Sequence, residues 1–162
     1  MGNPRTTKIR EIQATRKDYD AYVRCFHRTE YSYEVGKKSN EYRGSFLFEP
    51  LPTFDEYCRQ FNTRFVSKRK FHQYTLVYEN DDGEVVAVAE ILEEAKILNI
   101  DEFIVDTKFQ LCGYGRMFYL EIEQKAKERG HSEINLRCNF AGSKIFWTKM
   151  GFENKGVFVK KI

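Results

Sequence analysis

The chain has 162 residues, of which 41% are hydrophobic and 31% are charged. This length is typical of one compact domain, and the charged fraction argues against a fibre or a membrane protein. Lysine and arginine number 27 against 24 aspartate and glutamate residues, so the net charge of +3 is too small to indicate nucleic-acid binding by itself. We therefore predict a single domain over residues 1–162 that binds neither a nucleic acid nor a membrane.

The N-terminal residues and the cysteine spacing indicate the compartment. No apolar run approaches the roughly 20 residues that span a bilayer, and residues 1–16 are polar and charged, unlike a secretion signal. The four cysteines and three histidines are far apart and form no CxxC pair. The sequence therefore predicts a cytoplasmic protein with reduced thiols and no metal site.

The first part of the chain has helical and irregular patterns. Residues 8–15 are predicted as a short strand. Residues 16–35 are predicted as a helix, because aromatic side chains recur there at three- and four-residue spacings. Residues 36–52 have no clear period. Thr53 and Glu56 then form a predicted capping box at the start of a second helix.

The second part of the chain changes to the two-residue period of strands. Residues 73–79 and 84–92 form a predicted hairpin, because the Asn-Asp-Asp-Gly sequence at 80–83 is a turn signal. The elements predicted after the hairpin are a strand over 96–105, a helix over 113–129, a strand over 133–138, a helix over 141–150 and a strand over 157–162. This order predicts a mixed α+β domain.

A glycine-rich turn between the predicted strand 96–105 and the helix 113–129 is a candidate phosphate site. Gly113 and Gly115 lack a Cβ, so a ligand can approach their backbone closely. The helix begins with free N–H groups and a positive dipole end, and no Ser, Thr, Asp or Asn stands immediately before it. The turn is not a dinucleotide fingerprint, because Phe118 replaces the third glycine, and the chain has no P-loop sequence. An ordinary strand-to-helix turn is the alternative.

The sequence around this turn resembles the GNAT superfamily of acyl-CoA-dependent N-acetyltransferases. Residues 110–115 match the family signature Gln/Arg-x-x-Gly-x-Gly/Ala, and residues 98–106 resemble the strand before it. Residues 136–139 and 145–152 resemble the family's closing Asn…Phe-Tyr-x-Lys-x-Gly-Phe element. The resemblance implies a GNAT-like single domain, in which helices flank a central mixed, mostly antiparallel sheet.

The resemblance also implies where acetyl-CoA binds. The backbone of Phe103, Ile104 and Val105 is expected to pair with the pantetheine arm as if the arm were an added strand, and Asn139 is expected to face the same arm. The backbone of the turn is expected to hold the pyrophosphate, with Arg116 as an added cation or as an ordinary solvated arginine. The turn residues are Gln110, Leu111, Cys112, Gly113, Tyr114, Gly115 and Arg116.

Acetylation of an amine needs a base, for which Asp101 and Glu102 are the candidates. In an unbroken strand these two side chains point to opposite faces, so only one can face the acceptor. We prefer Asp101, because Glu102 lies between two isoleucines on a row that reads as core-facing. A buried Glu102 would be costly, and a bulge would reverse the faces. The alternative for either residue is a solvated or ion-paired acid.

The closing element departs from the family at Trp147, where members often have a tyrosine that protonates the leaving thiolate. Indole has no proton to give at working pH. Water, Ser143 or another tyrosine can replace that acid, or the thiolate can leave unassisted. We interpret Cys112 as a small filler residue, since direct transfer from the thioester needs no acyl-enzyme.

The acceptor pocket in this family is usually shaped by the first two helices and their connection, here about residues 22–65. Together with Asp101, the acidic and aromatic side chains of this segment suit a small cationic amine, although most of the aromatics are better explained as core. These side chains are Glu30, Tyr31, Tyr33, Glu34, Phe46 and Phe48.

The predicted activity is therefore the transfer of an acetyl group from acetyl-CoA to a primary amine. The attack is direct, and acetyl-CoA is a co-substrate with no metal involved. A CoA-binding regulatory module or a protein-interaction module that has lost catalysis is the alternative. Homodimers are common in the family, and exposed late strands such as 157–162 are the expected contact.

Overall fold

A computed structural model describes residues 8–26, 52–62, 72–138 and 141–162. Over these residues, seven strands form one sheet and four α-helices pack on it. The strands are β1 (Ile9–Glu11), β2 (Gln73–Glu79), β3 (Val85–Glu94), β4 (Ile97–Val105), β5 (Glu133–Leu136), β6 (Glu153–Asn154) and β7 (Phe158–Lys161). The helices are α1 (16–26), α2 (Phe54–Phe61), α3 (Tyr114–Glu128) and α4 (Ala141–Lys149).

The sheet is mixed and mostly antiparallel, as predicted. Its strand order is β1-β2-β3-β4-β5-β7-β6. Only β4 and β5 run parallel, and α3 makes the crossover between them. The predicted final strand over 157–162 is present as β7. The two-residue β6, which the sequence did not predict, pairs only with Phe158 and Val159, so Lys160 and Lys161 have no second strand partner among the described residues.

Both faces of the sheet are covered, each by a different pair of helices. On one side, here called the α3 face, α3 and α4 bury Phe118, Ile122 and Trp147 against the strands. On the other side, here called the α1 face, Tyr22 of α1 and Tyr57 of α2 are buried in a second cluster. Within the described ranges, no helix is long and apolar enough to cross a membrane.

Local sequence explains where α2 and the hairpin begin. The Thr53 side chain accepts from the Glu56 N–H at 3.3 Å, and the Glu56 carboxylate accepts from the Thr53 N–H at 2.8 Å. This is the predicted capping box. In the hairpin turn, the Asn80 side chain accepts from the N–H groups of Asp82 and Glu84, at 3.0 and 2.9 Å. Both predictions are therefore confirmed.

A buried carboxylate fixes α3 against the sheet. Glu123 accepts hydrogen bonds from the Tyr119 hydroxyl at 2.7 Å, from Lys127 at 2.7 Å and from Lys160 of β7 at 2.6 Å. Burial by itself would raise the pKa of Glu123, but these donors lower it to about 2. The carboxylate therefore stays charged, and α3 keeps a defined position relative to β7.

Candidate active site

The parallel strands β4 and β5 pair over only the first half of β4. Their pairing runs from Ile97 opposite Glu133 to Ile100 opposite Leu136, where β5 ends. Strand β4 continues to Val105 and there pairs with β3 alone among the described strands. The second half of β4 therefore has an open backbone edge on the side of β5, and we call this the open edge.

The hydrogen-bond alternation shows which backbone groups face the open edge. The Asp106 N–H donates to the Val86 carbonyl at 2.9 Å, which identifies a hydrogen-bonded pair between β3 and the end of β4. Such pairs alternate along an antiparallel ladder with pairs whose N–H and C=O groups point away. Phe103 and Val105 therefore direct these groups to the open edge. Ile104, between them, directs its own groups to β3.

A β-bulge interrupts β4 at the two predicted acids. Ile100 lies opposite Ile91, and Glu102 lies opposite Glu90, which is the next residue back along β3. Asp101 is therefore an extra residue with none opposite it in β3. Such an insertion shifts the alternation of side chains between the two faces.

The bulge reverses the expected faces of the second half of β4. In an unbroken strand, Ile100 and Phe103 would lie on opposite faces. Both instead contact the core of the α3 face, while Ile104 packs in the cluster of the α1 face. Glu102 therefore lies on the α1 face with Ile104 and is largely buried there, whereas Ile100 lies on the α3 face. The expectation that both isoleucines share a face with Glu102 is wrong. The preference for Asp101 rested on that unbroken alternation.

Glu102 is a largely buried carboxylate with two acidic neighbours. Glu90 lies directly opposite it on the same face, and Asp101 precedes it. Burial, followed by the negative charges of Glu90 and Asp101, raises the pKa of Glu102 from 4.5 to about 7. A carboxylate of this pKa can accept a proton effectively near neutral pH. Asp101 is exposed.

The turn between β4 and α3 is held by its own hydrogen bonds. The side-chain amide of Gln110 donates to the Val105 carbonyl at 3.1 Å, which closes the turn onto the end of the strand. The Cys112 thiol donates to the Gln110 carbonyl at 3.5 Å. Leu111 is fully exposed and has a φ of 62°, a left-handed conformation that is uncommon for leucine. Cys112 is exposed.

The N-terminus of α3 has free backbone N–H groups. Gly113 caps the helix with a φ of 84° and without a side-chain hydrogen bond. The first intrahelical bond runs from the Met117 N–H to the Gly113 carbonyl at 3.1 Å, so the N–H groups of residues 114–116 have no acceptor within the helix. A Cβ at Gly113 would meet no other atom within 4 Å, so the chain leaves open space beside this residue.

The first turn of α3 packs directly on the end of β4. A Cβ at Gly115 would lie 3.4 Å from Cγ2 of Val105 and 3.7 Å from the Phe146 ring. Tyr114 packs its ring against Phe109, with centroids 6.0 Å apart. Arg116 is exposed and makes no ion pair with a described residue. The open edge and the helix N-terminus are thus adjacent.

Trp147 belongs to the core beneath the open edge. It is 5% exposed, and its ring packs edge-on against Phe103 at 5.1 Å, Tyr119 at 5.5 Å and Phe152 at 5.3 Å. Phe103 in turn supplies part of the open edge. The indole therefore supports β4 from the α3 face.

Substitutions at Trp147 should affect stability more than chemistry. We expect Trp147→Ala to lower the free energy of unfolding by about 3–5 kcal/mol, because it leaves a cavity among aromatic rings. Trp147→Phe should keep most of the packing, and its turnover should stay within about threefold of wild type, since neither ring transfers a proton. Urea unfolding and steady-state kinetics measure the two effects. A stable Trp147→Phe variant with little turnover would contradict this interpretation.

Several predicted residues lie outside the described ranges. These are Asn139 and the acidic and aromatic side chains between residues 27 and 51. Within the described part of the acceptor segment, Tyr22 and Tyr57 are core residues. No group of three metal-binding side chains occurs among the described residues. Glu90 was not predicted as a site residue, because its position opposite Glu102 depends on the register between two strands.

Comparison with solved structures finds the same fold. Glucosamine-6-phosphate N-acetyltransferase from Arabidopsis thaliana superposes with a TM-score of 0.62 at 18% identity, covering 91% of this chain and 92% of that one. PaiA N-acetyltransferase from Thermoplasma acidophilum, in complex with coenzyme A, gives 0.59 at 16% identity over 95% and 98%. The ribosomal-protein-S18-alanine N-acetyltransferase from Escherichia coli gives 0.60 at 13% identity over 95% and 92%.

Sequence comparison identifies the family. No curated protein sequence matches the chain. The family model described as Acetyltransferase (GNAT) family matches residues 19–152, which include the sheet from β2 to β5 and both sides of the candidate site. The chain therefore belongs to the GNAT family of acetyltransferases.

Proposed function

We propose that this protein transfers the acetyl group of acetyl-CoA to a primary amine of a small cationic molecule, without an acyl-enzyme. The observation that carries the proposal is the open edge of β4, which leads directly to the uncapped N-terminus of α3. A strand edge offers hydrogen bonds to an extended amide chain, and a helix N-terminus attracts phosphate. Acetyl-CoA has both parts in one molecule.

The cofactor would lie along the open edge. The pantetheine amides would bond to the outward N–H and C=O groups of Phe103 and to the N–H of Val105, whose carbonyl already accepts from Gln110. Asn139 would face the same arm, as the family resemblance implies. The pyrophosphate would bind the N–H groups of residues 111–116, and the Arg116 guanidinium is close enough in sequence to add a charge.

Glu102 is the proposed general base. It would take the proton of the attacking amine, directly or through one water, while the amine nitrogen bonds to the thioester carbonyl carbon. The resulting oxyanion would be stabilised by an outward N–H of the open edge, that of Val105 or Phe103. Collapse of the intermediate breaks the carbon–sulfur bond and releases the CoA thiolate, which can leave unassisted or take a proton from water.

The acceptor is proposed to be cationic because carboxylates surround the base. Glu90, Asp101 and Glu102 lie within three strand positions of one another, and Glu90 and Glu102 share the α1 face. Such a group favours the approach of a positively charged amine. The structural neighbours include enzymes named for a sugar phosphate and for a ribosomal protein, so the fold alone does not select an acceptor. A CoA-binding module without catalysis is the second candidate. It is favoured by the tryptophan at position 147, where members of the family often have a tyrosine.

Calorimetric titration with acetyl-CoA tests the cofactor site first. We expect a dissociation constant in the micromolar range, about −8 kcal/mol. Release of free thiol should then be followed with linear polyamines, aminosugars and a peptide with a free N-terminus as acceptors. No binding at about 1 mM ligand, which is about −4 kcal/mol, would contradict the proposal. Tight binding without thiol release for any amine would favour the non-catalytic module.

A further inference from the structure

A salt bridge joins α1 to the first residue after β4. Nε of Arg24 donates to Oδ2 of Asp106 at 2.7 Å, and a terminal nitrogen of Arg24 lies 3.5 Å from the Val85 carbonyl. The Asp106 side chain is 6% exposed, whereas that of Arg24 is 49% exposed. Within the described ranges, Arg24 is the cation that compensates this buried carboxylate.

Asp106 organises the turn that leads to the N-terminus of α3. Its second carboxylate oxygen, Oδ1, accepts from the Lys108 N–H at 3.1 Å. Its backbone N–H donates to Val86 at 2.9 Å, and its carbonyl accepts from the Phe109 N–H at 2.9 Å. One residue thus ties β3, the short 3₁₀ turn Thr107–Phe109 and α1 together.

We propose that Arg24 is a positioning residue that acts through Asp106 to hold the turn 106–113 in the shape that receives the cofactor. Arg24 lies on α1, on the opposite side of the sheet from α3. If the Arg24 guanidinium is removed, Asp106 becomes a buried negative charge without a cation. This state is costly, and it is relieved when the carboxylate moves to solvent or takes up a proton. Either change weakens the hydrogen bond from the Lys108 N–H to the Asp106 carboxylate, so the turn becomes less ordered.

The inference also makes α1 part of the cofactor site. Because one carboxylate bonds both to α1 and to the turn, a change in the position of α1 changes the order of the turn. By linkage, binding of the cofactor to an ordered turn would in return stabilise the Arg24–Asp106 bridge. This step rests on the proposed cofactor site, but the order of the turn can be measured without any ligand.

Hydrogen exchange of the unliganded protein tests the inference directly. In Arg24→Ala, the hydrogen-bonded amides of Lys108, Phe109 and Gln110 should exchange at least about tenfold faster than in wild type, while those of β2 and β3 stay unchanged. Arg24→Lys keeps the positive charge but lacks the several N–H donors of the guanidinium, so its exchange rates should be intermediate. This variant keeps the test possible if Arg24→Ala fails to fold. Arg16→Ala is the matched control, since Arg16 also lies on α1 and pairs with Asp20 within that helix at 3.0 Å.

Acetyl-CoA affinity provides the second readout. Arg24→Ala and Asp106→Ala should each weaken binding by about tenfold, and the double variant should be no weaker than Asp106→Ala alone, because both residues act through one contact. The inference would be overturned if the turn amides exchange at the same rate in Arg24→Ala as in Arg16→Ala. It would also be overturned if the affinity losses of Arg24→Ala and Asp106→Ala multiply in the double variant. If the wild-type protein binds no acetyl-CoA, the proposed function fails, and the exchange rates still decide the role of Arg24.

Discussion

Replacing Glu102 with glutamine should lower kcat by about 10²- to 10⁴-fold while leaving the affinity for acetyl-CoA unchanged. Glutamine keeps the size of the side chain and the bulged backbone, so the open edge and the N-terminus of α3 stay as they are. It removes only the ability to accept a proton. Steady-state kinetics with a reactive amine, together with calorimetric titration of acetyl-CoA, would separate these two effects.

The pH profile gives this prediction a second, independent signature. Because the pKa of Glu102 is raised to about 7, its basic form appears as the pH rises through 7, and kcat/KM should rise over the same interval. In the Glu102→Gln variant the remaining activity should lack this acidic limb. A variant with a normal acidic limb would show that another group is the base.

Stability should change in the direction opposite to activity. The pKa of Glu102 is higher in the folded protein than the ordinary value of 4.5, so the folded state binds the proton more tightly. Wild-type protein therefore loses stability from this group as the pH rises from about 4.5 to 7. Glutamine does not ionise, so at pH 8 the variant should unfold at a temperature no lower than wild type. A loss of activity is then not a loss of folding.

Asp101→Asn is the matched control at the neighbouring position. Asp101 has a carboxylate in the same bulge, but it is exposed. Its replacement should reduce turnover by less than about tenfold, through the lost charge near the acceptor. If Asp101→Asn abolishes turnover and Glu102→Gln does not, then Asp101 is the base. If both variants remain active, neither acid has that role.

Local features of this fold could be predicted from the sequence, and features that depend on strand register could not. The capping box of Thr53 and Glu56 and the hairpin turn at residues 80–83 each depend on side chains within four residues of one another. Their geometry follows from the chain itself. The elements after residue 72 therefore appear close to where their patterns place them, with boundaries that differ by a few residues, while the end of the helix predicted over 16–35 lies outside the described residues.

The bulge at Asp101 shows where sequence reasoning stops. Alternation of apolar residues places Glu102 among isoleucines, and nothing local marks Asp101 as an inserted residue. The insertion becomes visible only when Ile100 and Glu102 are paired with their partners in β3. The raised pKa of Glu102 has the same origin, since Glu90 is distant in sequence and adjacent in the sheet. The identity of the proposed base is therefore a property of the register.

The turn before α3 was predictable for a different reason. Its glycines and the missing N-cap side chain are adjacent in sequence, so the expectation of free N–H groups needed no tertiary information. The salt bridge from Arg24 to Asp106 joins residues 82 positions apart, so it could not be predicted from local sequence. Local sequence thus predicts the free N–H groups of this turn, while long-range contacts determine what holds the turn in place.

Gly113→Val should abolish detectable acetyl-CoA binding, with a loss of at least about 100-fold in affinity, or about 2.7 kcal/mol. Gly113 is the N-cap of α3 with a φ of 84°. If the pyrophosphate binds the first N–H groups of this helix as proposed, a valine side chain at the N-cap is expected to hinder its approach. A β-branched residue in this left-handed conformation also costs about 1–2 kcal/mol of stability. A single variant therefore cannot distinguish a blocked site from a strained helix.

Gly130 provides a control with the same backbone cost at the other end of α3. It also has a φ of 84° and open space around a Cβ, and it follows the last turn of the helix. Gly130→Val should therefore lose a similar amount of stability in urea unfolding but bind acetyl-CoA with wild-type affinity. The difference in acetyl-CoA affinity between the two variants measures how much of the loss comes from the side chain at position 113 rather than from backbone strain. Wild-type affinity in both variants would show that the pyrophosphate does not bind at this end of α3, whereas an equal loss in both would assign the effect of Gly113→Val to backbone strain.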